Sequence, residues 1–290
     1  MKQTPVSVII LTYNEEANIR SCLESVQSLT KEVFVVDSFS TDKTLEIARE
    51  YTQKIFQNPW THYAGQRQWA LANLPFTNDW ILFLDADERL TPPLKRELSQ
   101  VIIQEIKKPF YGGYYIPRHF FFLGKRLRFG GCQDGLKEMR LCNRHNLIIE
   151  ERAGHEVYIS TKAVGSLREP IIHEDKKPLS AWIDRHNRYA SANAKYLTYQ
   201  DQGNKLMDRL GKHTDDYRLY WKEKFRRNFW NKLPILFRPT LLFCYRYFIK
   251  LGFLDGLTGF IYIFLHDFWL FLLMDAMYLE IRRKLKNNIS

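Results

Sequence analysis

Two hydrophobic runs in this sequence each end in acids. Val33-Phe34-Val35-Val36 delivers Asp37, and Trp80-Ile81-Leu82-Phe83-Leu84 delivers Asp85-Ala86-Asp87. Two carboxylates with one residue between them suit a hard divalent cation that carries phosphate oxygens. Apolar runs of this length, bounded by polar residues, read as buried strands of a parallel sheet, whose ligands sit beyond the strands' carboxyl ends. A third run, Val6 to Leu11, empties into Thr12-Tyr13-Asn14-Glu15-Glu16. A single cluster is explained as well by acids that end strands and cap helices. Agreement among the clusters points instead to a site for a nucleoside diphosphate.

The elements that must position these acids alternate strand and helix through the first 110 residues. Ile19, Leu23 and Val26 recur at helical spacing after the first strand, and Val33–Val36 forms the second. Ser40 or Thr41 is placed to cap the next helix, with Leu45, Ala48 and Tyr51 toward the sheet. A short third strand over Lys54–Phe56, a helix over Tyr63–Leu71 and the strand Trp80–Leu84 follow. Thr91-Pro92-Pro93 then opens a helix to about Ile106, with proline where its missing donor costs nothing. The result is a β/α layered domain. No GxGxxG follows the first strand and no GxxxxGK[ST] occurs, so dinucleotide binding and a Walker-type ATPase both lose their fingerprint.

Val8-Ile9-Ile10-Leu11-Thr12-Tyr13-Asn14-Glu15, Val35-Val36-Asp37-Ser38, Gln66-Arg67 and Leu84-Asp85-Ala86-Asp87-Glu88 together resemble the family 2 glycosyltransferases. Within them the chain is most similar to bacterial sugar transferases of the lipopolysaccharide-core type. The likeness extends over Lys137-Glu138-Met139-Arg140-Leu141, Gly154-His155-Glu156 and Gly252-Phe253-Leu254-Asp255-Gly256. It implies a GT-A α/β fold that binds a UDP-sugar, with a C-terminal amphipathic helical region that associates with membrane. By the same resemblance, the loop holding Thr12, Tyr13 and Glu15 binds uracil and ribose, with Glu15 accepting from a ribose hydroxyl. Asp37 accepts the base N–H, a bond strengthened by its charge. Asp85 contacts the ribose or metal-bound water, Ala86 lies in the same donor-binding segment, and Asp87 binds Mg²⁺ or Mn²⁺ through the diphosphate. Arg67 falls near the nucleotide, unless it is an ordinary solvated helix arginine.

Residues 111–180 read as the acceptor-binding and catalytic half. Here aromatics, glycines and arginines mix over Gly112–Ile116 and Phe120–Gly124, a pattern of strands and loops, and Lys137–Cys142 reads as a strand. An inverting transfer needs one general base for the acceptor hydroxyl. Glu156, from the His-Glu pair of the resembled subfamily, is preferred. Asp134, which precedes Arg140-Leu141 as the base precedes an Arg-Leu pair in many relatives, stays open, although the Gly-Glu-Asp form is absent. Arg140 and His155 are candidates for acceptor or phosphate contacts. His173 is a candidate metal or diphosphate contact, or else a structural histidine bonded to backbone. Cys132, Cys142, His145 and His155 fit no compact zinc signature.

Four scattered cysteines suit a reducing compartment, and Met1-Lys2-Gln3-Thr4-Pro5 runs straight into the first strand, so the catalytic part is expected in the cytoplasm. The net charge is +11. Its basic residues concentrate late, in Arg126, Arg128, Arg185, Arg188, Lys222, Lys224, Arg226, Arg227, Lys232 and Arg238, among Trp182, Tyr220, Trp221, Trp230 and Trp269. That mixture suits an anionic membrane surface rather than nucleic acid. Residues 181–290 are therefore expected to form a helical membrane-associating extension at the cytoplasmic face of the inner membrane, peripheral or monotopic. Arg238, Arg246, Lys250, Asp255 and Asp267 interrupt the apolar run Leu236–Met274. A span needs roughly 20 apolar residues, so two interfacial helices broken near Gly252–Gly256 are expected, with a span over Leu257–Met274 as the alternative. Arg282-Arg283-Lys284-Lys286 would tether the tail to anionic lipid. The sequence thus reads as a metal-dependent, inverting hexosyltransferase, with UDP-glucose the preferred donor and a membrane-held envelope glycan such as lipopolysaccharide core the acceptor. Transfer to polyprenyl phosphate is a related alternative. A nucleotidyltransferase would want a basic phosphate loop where Thr12–Glu16 is acidic, and a non-catalytic membrane module leaves the acids without a shared purpose.

Overall fold

The computed structural model describes residues 3–152, 155–201, 233–234 and 237–287. The chain forms two compact units, one of Met1–Leu127 with Gln133–Lys177 and one of Arg128–Cys132 with Pro178–Ser290.

The first unit is built on strands β1 (Ser7–Thr12), β2 (Val33–Asp37), β3 (Ile55–Gln57) and β4 (Trp80–Asp85), which lie parallel in the order β3-β2-β1-β4. The Val, Ile, Leu and Phe side chains of β1, β2 and β4 are buried on both faces, Leu11 only partly, as parallel strands covered by helices require, while Ile55 and Phe56 of the edge strand β3 are half-buried. The covering helices are α1 (Ile19–Val26), α2 (Thr44–Arg49), α3 (Tyr63–Asn73) and α4 (Pro92–Lys107). Thr91 caps α4, its hydroxyl accepting from the Leu94 N–H at 3.2 Å. Neither Ser40 nor Thr41 caps α2. Ser40 is drawn to Asp37 instead, and Asp42 accepts from the Thr44 N–H at 2.9 Å.

Beyond β4 the sheet turns mixed. The short strand β5 (Glu88–Leu90), unforeseen from the sequence, precedes α4. The stretch expected to be several strands and loops is one ten-residue strand, β6 (Gly113–Phe122), whose alternate residues are buried, and β7 (Lys125–Arg126) folds back on it. Strand β8 (Lys137–Asn143) pairs antiparallel with both β4 and β6. Strands β9 (Leu147–Arg152) and β10 (His155–Ser160) form a separate antiparallel pair. Strand β11 (Val164–Ser166) and strand β12 (Ile171–Glu174) both pair parallel with β6, and β12 also pairs with β5.

At the opposite end of the parallel strands, Glu32 is buried and shared among Ser7, Thr77, Asn78 and Lys54; Thr77 Oγ1 donates at 2.8 Å, Asn78 Nδ2 at 2.7 Å and Lys54 Nζ at 3.2 Å. Burial opposes its ionisation, but these donors outweigh it and lower its pKa to about 2. A depressed carboxylate adds stability above its unfolded pKa and loses it as pH falls through the folded value. Glu32→Gln should therefore cost about 1–3 kcal/mol at neutral pH and flatten the loss of stability between about pH 4.5 and 2, as urea unfolding across that range will read.

In the second unit, α5 (Leu179–Asp201) packs with α8 (Leu270–Asn287). Helix α6 (Phe237–Cys244) continues as a π-helical turn to Ile249, and α7 (Gly256–Ile263) continues through a second π-helical turn (Phe264–Trp269) into α8. The chain breaks between them, as expected. Leu251 is left-handed at φ 59°, Gly256 has φ 63°, and a Cβ on Gly252 would meet Ile263 Cδ1 at 2.3 Å. Arg238 pairs with Asp275 at 2.5 Å and Arg246 with Asp267 at 3.1 Å, so the two helical arms run antiparallel. Gly252–Leu285 is long and apolar enough to cross a membrane by length and composition. Lys222, Lys224, Arg226, Arg227, Lys232, Tyr220, Trp221 and Trp230 lie outside the described residues.

Candidate active site

The parallel register sets Thr12 opposite Asp37 and Leu11 opposite Asp85, so three exit loops open along one sheet edge. The first two loops brace each other. Ser40 Oγ accepts from the Asn14 N–H at 2.8 Å, Asn14 Oδ1 accepts from the Thr41 N–H at 2.8 Å, and Thr44 Oγ1 accepts from the Glu15 N–H at 2.7 Å. Asn14 and Phe39 hold φ of 51° and 60°, a conformation non-glycine residues seldom adopt and one that recurs at ligand sites. Asp37 is fully buried, accepting from Thr12, from the Ser40 backbone and hydroxyl, and from Gln57. Tyr13 stands half-exposed at the rim. Glu15 accepts from Lys177 Nζ at 2.5 Å and Asn18 Nδ2 at 2.8 Å. Burial, and then the charge of Asp87, raises its pKa to about 7 against the pull of Lys177.

Asp85 ends β4 between two buried arginines. Its Oδ1 accepts from Arg67 Nη2 and its Oδ2 from Arg140 Nη2, both at 2.7 Å. Burial works against its charge, yet Arg140 and Arg67 prevail and hold it well below the usual carboxylate range. Arg67 is no solvated helix arginine. It is fully buried, its guanidinium 5.8 Å from the Phe83 and Tyr158 rings, and its Nη1 pairs with Glu156 on β10. Burial raises the Glu156 pKa, with Arg67 opposing. Arg140 Nη2 is shared among Asp85, Glu88 at 2.9 Å and Glu138 at 3.0 Å, and Glu88 in turn accepts from the Asp85 N–H at 2.9 Å. Burial pushes Glu88 up to about 7 against Arg140.

Asp87 lies 3.5 Å from His173 Nε2, while His173 Nδ1 faces Arg118 at 3.3 Å. Ala86 between the two acids is buried. Asp134 is committed elsewhere, accepting the Phe120 N–H at 2.9 Å and a two-pronged pair from Arg126 at 3.0 and 2.9 Å. The backbone of His155 pairs in β10, and its side chain lies outside the described residues. The structure therefore joins Arg67, Asp85, Arg140 and Glu156 in one chain of contacts, sets Asp87 beside His173, and ties Asp134 to Arg126.

Sequence reasoning missed Glu88, Glu138, Arg118, Tyr158 and Lys177. Glu138 and Arg140 alternate along β8, as Glu156 and Tyr158 do along β10, so strand periodicity carried a signal for both pairs. Lys177 had none, because only the chain's return after β12 brings it to Glu15.

Residues 7–148 match the model of Glycosyl transferase family 2. The match takes in just under half of the chain, and that stretch carries the family's sequence pattern. The chain's sheet, parallel over β3-β2-β1-β4 and mixed beyond β4, has the layered α/β architecture expected from the sequence. An uncharacterized glycosyltransferase of Rickettsia typhi is 42% identical over 96 residues, which is 33% of this chain and 32% of that one. The match thus spans about a third of that relative's length. The lipopolysaccharide core biosynthesis glycosyltransferase LpsC of Rhizobium meliloti is 26% identical over 283 residues, covering 90% of each chain. The crystal structure of S. aureus TarS in complex with UDP is similar at a TM-score of 0.44 and 14% identity, covering 96% of this chain and 92% of that one.

Proposed function

We propose that this glycosyltransferase moves a hexose from a UDP-sugar, UDP-glucose by preference, onto a membrane-held envelope glycan such as lipopolysaccharide core, with inversion, at the cytoplasmic face of the inner membrane. The observation that carries the reading is the Asp85–Arg67–Glu156 chain of contacts, which ties the acidic cluster ending β4 to an acid on β10. A relative named for lipopolysaccharide core biosynthesis aligns over nearly the full length and supports the acceptor class.

In this reading Asp37, Thr12 and Tyr13 receive the base, and Glu15 the ribose, leaving Lys177 as it does so. Asp87 and His173 are an oxygen and a nitrogen donor at one point, and two protein donors leave room for the phosphate oxygens and waters that Mg²⁺ or Mn²⁺ retains. The bound cation supplies neutralisation of the charge that develops on the departing diphosphate. Arg67 and Arg140 hold Asp85 in its ionised form and fixed in direction. Glu156 takes the acceptor hydroxyl proton while that oxygen attacks the anomeric carbon from the side opposite the diphosphate. Its raised pKa improves a carboxylate as a base. Asp134 is the weaker candidate, because both its oxygens are already bonded to Arg126 and one of them also to the Phe120 amide.

A single displacement turns an α-linked donor into a β-linked product. Incubation with UDP-glucose and envelope glycolipid should release UDP and give a β-linkage by NMR. An α-linked product would overturn the inverting mechanism, and the absence of UDP release with any UDP-hexose would overturn the donor class.

A further inference from the structure

Along α6 and its π-helical turn, Phe237, Leu241, Tyr245, Phe248 and Ile249 are exposed at intervals of one helical turn, and Ile249 keeps 71% of its surface in solvent. The stripe continues over the corner through Leu254 and Leu257, the latter 75% exposed. The acids of these helices turn the other way: Asp255, Asp267 and Asp275 are buried, the last two against Arg246 and Arg238. An amphipathic pair of arms with the apolar side outward is the reverse of what a water-facing surface would show.

From this we infer that the α6–α7 corner is a docking face for one leaflet of an anionic phospholipid bilayer, lying in the plane of the membrane rather than crossing it. The inference rests on the reading of a membrane-held acceptor and gives it a surface. Three observations decide for a leaflet and against a span. The arm Phe237–Ile249 is about 20 Å long at the helical rise, short of the roughly 30 Å hydrocarbon core, so the arms cannot cross as a pair. The long helix crossing alone would part Asp267 and Asp275 from their arginines inside the bilayer. The corner is also pinned: Asp255 accepts the N–H groups of Arg128 and Phe129 at 3.2 and 2.9 Å, and the Lys250 carbonyl accepts from the Gly130 N–H at 2.8 Å, so the two arms cannot straighten into one rod. Charge selects the lipid. Lys250 is exposed beside Ile249, and Arg282, Arg283 and Lys284 are exposed toward the far end of α8.

Cys244 lies on this stripe and is exposed, whereas Cys22, Cys132 and Cys142 are buried, so the native protein carries its own probe. The full-length protein, without donor, is floated with sealed phosphatidylcholine vesicles with and without phosphatidylglycerol, and Cys244 is reacted with a membrane-impermeant maleimide. Flotation is expected with phosphatidylglycerol, with labelling of the bound protein slowed at least tenfold. Phe248→Glu with Leu257→Glu should weaken flotation more than tenfold while UDP binding, the check on folding, persists. Labelling of the bound protein at the free rate, or flotation of the double variant like wild type, would overturn the inference. So would protection of Cys244 in vesicle-free buffer with a dimeric mass, which gives the face to a second copy. In Cys244→Ser with Lys284→Cys, label reaching position 284 only after detergent would show a span and overturn it too. Lost flotation with UDP release intact sinks this inference alone, and intact flotation without UDP binding sinks only the transferase reading.

Discussion

Glu156→Gln is expected to lower turnover by about 10²–10⁴-fold, the range a positioned general base contributes, while UDP binding stays within a few-fold of wild type. The amide keeps the shape of the side chain and can still face Arg67, but it cannot take a proton. Isothermal titration with UDP and single-turnover assays with UDP-glucose separate the two effects. Asp134→Asn serves as the comparison. Its oxygens hold Arg126 and the Phe120 amide, so a loss of stability with chemistry largely kept is expected. If Glu156→Gln turns over normally and Asp134→Asn does not, the base is Asp134. Normal turnover in both leaves the acids to bind acceptor hydroxyls.

Arg140→Met is expected to destabilise the first unit by about 3–5 kcal/mol, the cost of leaving buried charge without its partner. One guanidinium nitrogen of Arg140 answers Asp85, Glu88 and Glu138, and its own exposure is 3%. Urea unfolding reads the loss. Adding Glu138→Gln should restore part of it at neutral pH, since a carboxylate that Arg140 holds ionised is then neutral, whereas Glu88, already raised to about 7, takes up a proton once Arg140 is gone. A single variant as stable as wild type would show that Arg67 alone neutralises the cluster. A double variant worse than the single would place the cost in packing rather than charge.

What the sequence determined by itself is what local spacing encodes. Continuous β-branched and aromatic runs specified the buried strands β1, β2 and β4, and strand polarity then placed Thr12, Asp37 and Asp85 at one edge. The proline pair after Thr91 fixed the start of α4, and the glycines around 252–256 fixed the break between the C-terminal arms, because each is a backbone constraint carried by the residue itself.

The tertiary structure decided everything that depends on partners distant in the chain. Arg67 reads alone as a helix-surface arginine. It is buried because Phe83 and Tyr158 flank it and because Asp85, 18 residues on, and Glu156, 89 residues on, both claim its guanidinium. Asp134 looks like a base by its distance from Arg140, yet the β6–β7 turn presents Arg126 to it first. Likewise no local pattern joins Lys177 to Glu15, 162 residues apart. Ion pairs have no period along a chain. Their geometry follows from sheet order and register, and those are set by the competition among all the buried strands at once.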